Sequence, residues 1–336
     1  MTSVRIPGRV NLIGEWIDFN GGTVLPMALS QSVDLEMQPN DRAHDRVESA
    51  QFPGIAEFTI DAPAAGHWSD YVRGGLQYAR RRGWLQGGQD VTLNSTLPVG
   101  AGLSSSAATI VATLKAASAN VSAIDPAEIA FAAKAVENDF IGVPCGIMDQ
   151  MAVAVGKAGH ALALDTRNCR YELIPVPANW TFAVIHSGLR RALSDGRYKA
   201  RREECLQAAE ALSVAYLCEG SLDASRELPP PLARRARHVI TEAHRSREAV
   251  SALRVADMPV FGALMNASHV SLRDDFEVSV PEMDAMVRDA IALGAAGARI
   301  TGAGFGGCFV CLIDTRNAEV WWSNLKTRHP AATRIA

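Results

Sequence analysis

Hydrophobic and polar positions alternate in some stretches of the chain and recur at helical spacing in others. Alternation is typical of half-buried strands, and apolar residues at i, i+3 and i+4 are typical of helices packed on one face. The strand candidates are residues 4–7, 23–29, 33–37, 58–60, 91–97, 161–165, 171–175, 181–185, 298–301 and 308–313. The helix candidates are residues 68–80, 107–114, 125–138, 195–205, 233–253, 257–272 and 280–293.

This succession of elements is too long for one average domain. A chain of 336 residues suits two domains that share a cleft. The strands at 161–165 and 171–175 are followed by a proline-containing connection, residues 175–179, before the next strand begins. We therefore predict domains at 1–177 and 178–336.

Composition and charge exclude several classes of protein. Hydrophobic residues make up 48% of the chain and charged residues 21%, with a formal net charge of -3. This balance indicates a soluble enzyme and argues against a nucleic-acid partner or an anionic membrane partner. No apolar run is long enough to span a bilayer, and the N-terminus lacks the apolar core of a signal peptide, so a cytoplasmic location is expected. The six cysteines are dispersed and predict neither a metal site nor a disulfide framework.

Residues 97–108 form a glycine-rich turn that runs through three serines into a predicted helix. Glycine backbone can aim several N–H groups at one anion, and a helix N-terminus favours phosphate. The turn lacks the Gly-Lys-Ser/Thr ending of a Walker A loop, and Ser105 stands where a dinucleotide loop has its third glycine. It is therefore a candidate phosphate loop of another type, or else a strand-to-helix connection that serine caps.

Three stretches resemble the GHMP small-molecule kinases, and two of them narrow the resemblance to galactokinases. Residues 98–106 look like the GHMP phosphate loop, residues 7–22 are similar to the galactokinase signature, and residues 301–308 resemble the third GHMP motif. Weaker similarity covers most of the chain between them. The resemblance implies an α+β, two-domain GHMP kinase fold with the active site in the interdomain cleft.

The same resemblance implies ATP-dependent transfer of a phosphoryl group to the anomeric hydroxyl of a sugar. Family roles carried over by position put Asp149 opposite the attacking hydroxyl and Arg9 beside it. Ser106 and Glu137 would hold Mg²⁺, which suits a hard cation because ATP and water can supply its other oxygen ligands. The sequence does not decide whether Asp149 is a true base or mainly orients the hydroxyl.

Sugar and nucleotide contacts are carried over in the same way. Asp18 would take ring hydroxyls, Glu15 would lie near C6, and Tyr198 would reach the sugar from a helix start. Gly146 belongs to the stretch 142–150, which matches galactokinases almost throughout. The residues expected at ATP are Gly100, Gly102, Leu103, Ser104, Ser105 and Ser106 of the loop, together with Trp68.

Trp16 departs from the galactokinase pattern, which has a histidine that helps to hold the C6 hydroxyl. In one interpretation the indole packs over the site and its N–H still reaches that hydroxyl. In the other, the ring fills the space of a C6 group and favours galactose-configured sugars with C6 missing or altered, such as L-arabinose, D-fucose or galacturonate. Loss of one hydrogen bond to a hydroxyl can change discrimination by about 1–3 kcal/mol.

The expected partners are therefore a small sugar and ATP, with the chain a monomer or a weak homodimer. A rival from another class is a sensor that binds sugar and nucleotide without turnover. The presence of Arg9, Asp149, Ser106 and Glu137 argues against the sensor, because a protein that only binds needs no phosphoryl-transfer groups.

Overall fold

The computed structural model describes residues 1–121, 124–189 and 195–336. The chain divides into two compact units. The first unit consists of Met1–Arg9, Ala28–Val99 and Leu103–Ala158, and the second of Val10–Met27, Gly100–Gly102 and Gly159–Ala336. These units interleave along the chain, whereas the predicted domains are separated by one cut at residue 177, which stays a prediction.

Strands and helices both occur in each unit. The strands are β1 Thr2–Asn11, β2 Thr23–Val24, β3 Pro26–Asn40, β4 His44–Ser49, β5 Phe52–Thr59, β6 Gly88–Ser95, β7 His160–Asp165, β8 Tyr171–Pro175, β9 Trp180–His186, β10 Gly297–Ile300, β11 Cys308–Asp314 and β12 Thr333–Arg334. The α-helices are α1 Asp70–Arg81, α2 Ser105–Ala117, α3 Pro126–Ala135, α4 Met148–Val155, α5 Asp195–Ala211, α6 Leu222–Ser225, α7 Leu232–Arg254, α8 Met258–Asp274, α9 Pro281–Ala292 and α10 Ala318–Arg328. None of the helices in the described part of the chain is both long enough and apolar enough to cross a membrane.

The sheet of the first unit is centred on β6. β6 pairs antiparallel with β3 and parallel with β4, β4 continues to β5, and β1 pairs with β3. Four helices, α1 to α4, pack together in the same unit, and their apolar faces are fully buried at Leu76, Ile110, Leu114 and Met151. Burial of side chains of this size contributes roughly 1.5–3 kcal/mol each.

The second unit contains a four-stranded sheet in the order β10-β11-β9-β12 and a smaller set in which β7 pairs with both β2 and β8. β11 is buried over nearly its whole length, which explains its unbroken apolar sequence. Helices α7 and α8 pack on one another, and α8 packs on β10. Cys308 and Cys311 are buried free thiols.

The predicted bounds of the strands at 23–29 and 33–37 are wrong. The candidates at 23–29 and 33–37 are divided instead into the short β2 and the long β3, which runs through the polar residues that separated them. Those residues pair with the chain after β6, since Ser32 N bonds Thr96 Oγ1 at 2.9 Å and Thr96 N bonds Ser32 O at 2.9 Å. β4 was not predicted because one of its buried positions is the acidic residue Asp45. This side chain forms an ion pair with Arg80 of α1, whereas the predicted pattern required an apolar residue.

Candidate active site

The glycine-rich turn before α2 takes a left-handed conformation at alternate residues. Gly100, Gly102 and Ser104 have φ values of 74°, 76° and 60°. Ser104 occupies the N-cap of α2, but its side chain makes no capping hydrogen bond, so the predicted serine cap is wrong. Its Oγ is buried and has no hydrogen-bond partner among the described residues. A helix N-terminus without a side-chain cap, next to a buried unpaired hydroxyl, suits an anion such as a phosphate.

Glu137 lies on a π-helical turn, Val136–Ile141, that continues α3. The predicted N-cap of α3 is confirmed, because Asp125 accepts a hydrogen bond from Ala127 N at 2.9 Å. The predicted helix does run through residue 138, but its last turn is wound more widely than an α-helix. Such wide turns are rare in proteins, and those that occur are often found at functional sites.

The Glu137 carboxylate is buried, with only 7% of the residue exposed. It accepts hydrogen bonds from Gln150 Nε2 and from the Ser106 hydroxyl, and Cys145 Sγ lies 3.5 Å from Oε2. Burial, together with the nearby charge of Asp149, raises the pKa of Glu137 above its ordinary value. Among the described residues no lysine or arginine pairs with it. A buried carboxylate in this state is stabilised by a cation.

The donors around Glu137 fit Mg²⁺. Within the described ranges no group of three or more His, Cys, Asp and Glu side chains is placed to hold a metal. Mg²⁺ does not need such a group, since it is usually bound by one or two carboxylates together with substrate phosphates and water. One carboxylate and the Ser106 hydroxyl beside a phosphate-type helix N-terminus meet that requirement.

Arg9 and Asp149 meet in the first unit although 140 residues separate them. Arg9 Nε donates to Asp149 Oδ1 at 2.8 Å, and Arg9 Nη2 lies 2.7 Å from the same oxygen. The Arg9 side chain is 6% exposed and that of Asp149 is 32% exposed. One carboxylate oxygen is therefore held by a buried guanidinium while the group still faces solvent, which is suitable for a residue that contacts a substrate.

In the second unit the signature segment forms a tight turn. Gly14 has a φ of 97°, and Trp16, a bulky non-glycine residue, has a φ of 67°. This conformation costs about 1–2 kcal/mol for an L-residue. The Trp16 carbonyl accepts a hydrogen bond from Asn20 Nδ2 at 2.7 Å. Strained backbone of this kind is typical of functional sites.

Glu15 joins this turn to the third glycine motif. Its Oε1 accepts hydrogen bonds from Thr301 Oγ1 at 2.8 Å and from Gly302 N at 2.8 Å, and Arg299 Nη2 lies 3.4 Å away. Arg299 also donates to Asn11 O at 3.1 Å, and Thr301 Oγ1 lies 3.1 Å from the same carbonyl, to which its single proton can be donated instead of to Glu15. The structure gives Glu15 a structural role, and its predicted role near C6 of the sugar stays a prediction.

Trp16 is 4% exposed and lies in an aromatic cluster. Its ring centroid is 4.8 Å from that of Tyr198, 4.9 Å from that of Phe276 and 6.3 Å from that of Phe19. The indole Nε1 is buried and has no hydrogen-bond partner among the described residues. A buried N–H without a partner costs free energy until an acceptor is bound.

The remaining predicted residues lie in both units. Asp18 is half-buried in the signature segment of the second unit, and Gly146 is buried just before α4 in the first. Trp68 is half-buried before α1, where it stacks on Phe52 with centroids 5.2 Å apart. Its predicted contact with the nucleotide stays a prediction.

Sequence reasoning missed two residues of α7 that hold the signature turn. Glu242 accepts a hydrogen bond from Gly14 N at 2.9 Å, and His238 Nε2 lies 3.1 Å from Glu15 O. They are four residues apart on the face of α7 that also buries Val239. No spacing signal singles them out, because the buried residues of α7 also include Arg235 and Ser246.

Comparison with known proteins gives the class of this protein. The family model described as GHMP kinases N terminal domain matches residues 70–157, and that described as GHMP kinases C terminal matches residues 249–330. A Methanococcus jannaschii mevalonate kinase structure has the same fold, with a TM-score of 0.74 at 18% identity, covering 97% of this chain and 95% of that one. The class is therefore that of the GHMP kinases.

More similar proteins narrow this class. The model described as the galactokinase galactose-binding signature matches residues 3–39. A galactokinase from Roseiflexus sp. (strain RS-1) is 40% identical over 347 residues, covering 99% of this chain and 89% of the relative. The crystal structure of Lactococcus lactis galactokinase complexed with galactose superposes with a TM-score of 0.92 at 30% identity, covering 99% of this chain and 92% of that one. The chain belongs to the galactokinase family.

These matches confirm the predicted family and the α+β, two-domain GHMP kinase fold. They also confirm that the protein is of the phosphotransferase class, with ATP as the substrate that the kinase family implies. The roles of individual site residues, including Trp16 in place of histidine, stay predictions.

Proposed function

We propose that this protein transfers the γ-phosphoryl group of ATP to the anomeric hydroxyl of galactose, giving galactose 1-phosphate. The observation that carries the proposal is the pairing of Arg9 with Asp149 in the unit that also holds Glu137 and Ser106. Phosphoryl transfer needs a positioned hydroxyl and compensation of charge more than covalent chemistry. These residues supply both requirements.

In this proposal the Asp149 carboxylate, one oxygen of which is held by Arg9, faces the attacking hydroxyl of the sugar. It either takes the proton of that hydroxyl or accepts a hydrogen bond from it. The Arg9 guanidinium also offsets negative charge on the transferred group. ADP leaves with the electron pair of the broken P–O bond, and the new P–O bond forms at the sugar. The phosphates of ATP lie on the turn formed by Gly100, Gly102, Leu103, Ser104, Ser105 and Ser106, with Trp68 near the nucleotide.

In this proposal Glu137 and Ser106 would hold Mg²⁺, and the bound ion would neutralise charge on the phosphate oxygens. Gln150 keeps the Glu137 carboxylate oriented through its amide N–H. The sugar is held by Asp18, Glu15, Trp16, Gly146 and Tyr198. The predicted cleft, cytoplasmic location and monomeric or weakly dimeric state stay predictions.

We expect purified protein to release ADP when galactose and ATP are supplied together, and to release little when either is left out. The assay is a coupled ADP measurement, with phosphorus NMR to identify the 1-phosphate product. Calorimetry with galactose alone is run in parallel. Galactose binding without ADP release at any Mg²⁺ concentration would contradict the kinase and favour the sugar sensor.

A kinase for a sugar altered at C6 is the second candidate, and Trp16 is the observation that favours it. The indole is a large ring in a packed aromatic cluster, at a position where galactokinases carry histidine. If it occupies the space of a C6 group, sugars with C6 missing or altered are preferred. If its unpartnered N–H donates to the C6 hydroxyl, galactose is preferred.

Substitutions of Trp16 separate the two candidates. If the ring excludes C6, Trp16→His raises kcat/KM for galactose relative to D-fucose and L-arabinose. If the indole N–H donates, Trp16→Phe lowers kcat/KM for galactose by roughly tenfold, while D-fucose, which lacks the hydroxyl, is affected little. Steady-state kinetics with the three sugars on wild type and both variants measures these ratios. Galacturonate and N-acetylgalactosamine extend the panel, and ratios that neither variant changes would show that Trp16 does not discriminate at C6.

A further inference from the structure

We propose that His238 and Glu242 of α7 are positioning residues for the turn 14–16, and that they set the affinity for the sugar without contacting it. The inference rests on the proposed function in one respect, namely that Glu15 and Trp16 bind the sugar. Neither α7 residue lies in any of the motifs that the sequence singles out, and both belong to the same unit as the turn.

Glu242 uses both carboxylate oxygens inside the protein. Oε1 accepts from Gly14 N at 2.9 Å and from Ser268 Oγ at 2.7 Å, and Oε2 accepts from Arg245 Nε at 2.8 Å. Burial alone would raise the pKa of Glu242, but Arg245 and neighbouring cationic groups outweigh burial and lower the pKa to about 2. The group that receives the Gly14 N–H is therefore an ionised, fully buried carboxylate, and charged acceptors make the stronger hydrogen bonds.

His238 holds the peptide between Glu15 and Trp16. The residue is fully buried, with Nε2 3.1 Å from Glu15 O and Nδ1 2.9 Å from Ser271 Oγ. Burial lowers the pKa of His238 to about 4, so the ring is neutral at physiological pH. Because a carbonyl oxygen can only accept, the contact with Glu15 O needs the ring proton on Nε2, and the Ser271 hydroxyl shares its single proton between Nδ1 and Asp275 Oδ2, which lies 3.0 Å away.

The turn needs these bonds because its backbone is strained at Trp16, although not at Gly14, where glycine adopts a positive φ freely. Gly14 and Trp16 both have positive φ, and a bulky residue persists in this conformation only where its surroundings determine it fully. Phe276 adds a packing link, since its ring lies 4.6 Å from that of His238 and 4.9 Å from that of Trp16. Helix α7 thus fixes the peptide before Gly14 and the peptide after Glu15 and, through Phe276, the indole of Trp16.

Two variants of His238 test the donor. His238→Leu removes the N–H and leaves the Glu15 carbonyl buried without a partner, whereas His238→Gln keeps an N–H donor. We expect His238→Leu to raise the KM and the calorimetric Kd for galactose by on the order of tenfold. The KM for ATP should stay unchanged, and His238→Gln should recover most of the affinity. A general loss of folding would instead lower the fraction of active protein and would not raise the KM for galactose selectively over the KM for ATP.

Glu242→Gln tests the acceptor. In one orientation the NH₂ group of the new amide faces the donors Gly14 N and Ser268 Oγ, and in the other it faces the donor Arg245 Nε, so one of these contacts is lost in either case. We expect a selective rise in KM for galactose of similar size. The matched substitution Glu248→Gln lies on the exposed face of the same helix and should leave both KM values at wild type. Leu253→Ala opens a cavity in the same helix away from the turn, so it should lower the melting temperature without raising the Kd for galactose.

The proposal is overturned if His238→Leu and Glu242→Gln bind galactose as tightly as wild type. It is also overturned if Leu253→Ala, with the same loss of melting temperature as His238→Leu and Glu242→Gln, lowers the affinity for galactose as much as they do. Calorimetry keeps this result separate from the proposed function. A wild type that binds galactose but does not turn it over refutes the kinase and still allows the affinity comparison, and a wild type that does not bind galactose refutes both.

Discussion

Replacing Asp149 with asparagine is expected to lower kcat by about 10²- to 10⁴-fold if the carboxylate takes the proton of the sugar hydroxyl. Asparagine keeps the size of the side chain and can still accept a hydrogen bond, but it is not a base. If Asp149 only orients the hydroxyl, the loss should stay within roughly tenfold. Steady-state kinetics at saturating ATP and galactose, with KM for each substrate, distinguishes the two roles.

The control for this variant is Asp61→Asn, which removes a carboxylate from an exposed turn in the same unit. It should keep wild-type kcat. Because Asp149→Asn leaves the Arg9 guanidinium buried without its ion pair, melting temperature must be measured as well. A folded Asp149→Asn protein with unchanged kcat would remove this residue from the mechanism.

Arg9 should show coupling with Asp149 in the same assay. Both Nε and Nη2 of Arg9 approach one carboxylate oxygen, a geometry that the single ammonium of a lysine does not reproduce. The effects of Arg9→Lys and Asp149→Asn on kcat should therefore be less than additive in the double variant, because each substitution disrupts the same contact.

The residues that sequence reasoning proposed for the site came from two sources, a local signal and a family resemblance. The turn at Gly100 is recognisable because its glycines and the apolar pattern of the helix after it follow one another directly in the sequence. Arg9, Asp149 and Glu137 were found through resemblance to a family, since no spacing rule links positions 140 residues apart. The predicted apolar helices and strands were mostly confirmed because burial follows periodicity.

What the sequence did not predict depends on partners distant in the chain. Asp45 made β4 look like a loop because its partner, Arg80, lies 35 residues away. His238 and Glu242 look like polar residues of an exposed helix until α7 is placed against residues 14 and 15. Residue type alone does not specify whether Ser104 caps its helix with a side-chain hydrogen bond, or whether the turn at Glu137 is π-helical.

Replacing Glu137 with glutamine is expected to lower activity and raise stability together. Loss of a carboxylate ligand should raise the Mg²⁺ concentration needed for half-maximal activity by at least roughly 10- to 100-fold. The KM for galactose should change little. The measurement is a titration of free Mg²⁺ at fixed ATP, with Glu128→Gln, an exposed residue of α3, as the matched control that keeps the wild-type response.

The expected gain in stability follows from the raised pKa of Glu137. In the unfolded chain the carboxyl ionises near its ordinary pKa, whereas in the folded chain burial, with the charge of Asp149, disfavours the charged form. The folded state therefore loses stability as pH rises above the unfolded value, and glutamine removes this loss. Without Mg²⁺, the Glu137→Gln melting temperature should exceed that of wild type at pH 8, by a margin that shrinks toward pH 4.5. A variant less stable than wild type at pH 8 would mean that another cation or hydrogen bond already compensates this carboxylate, and that Mg²⁺ is not needed there.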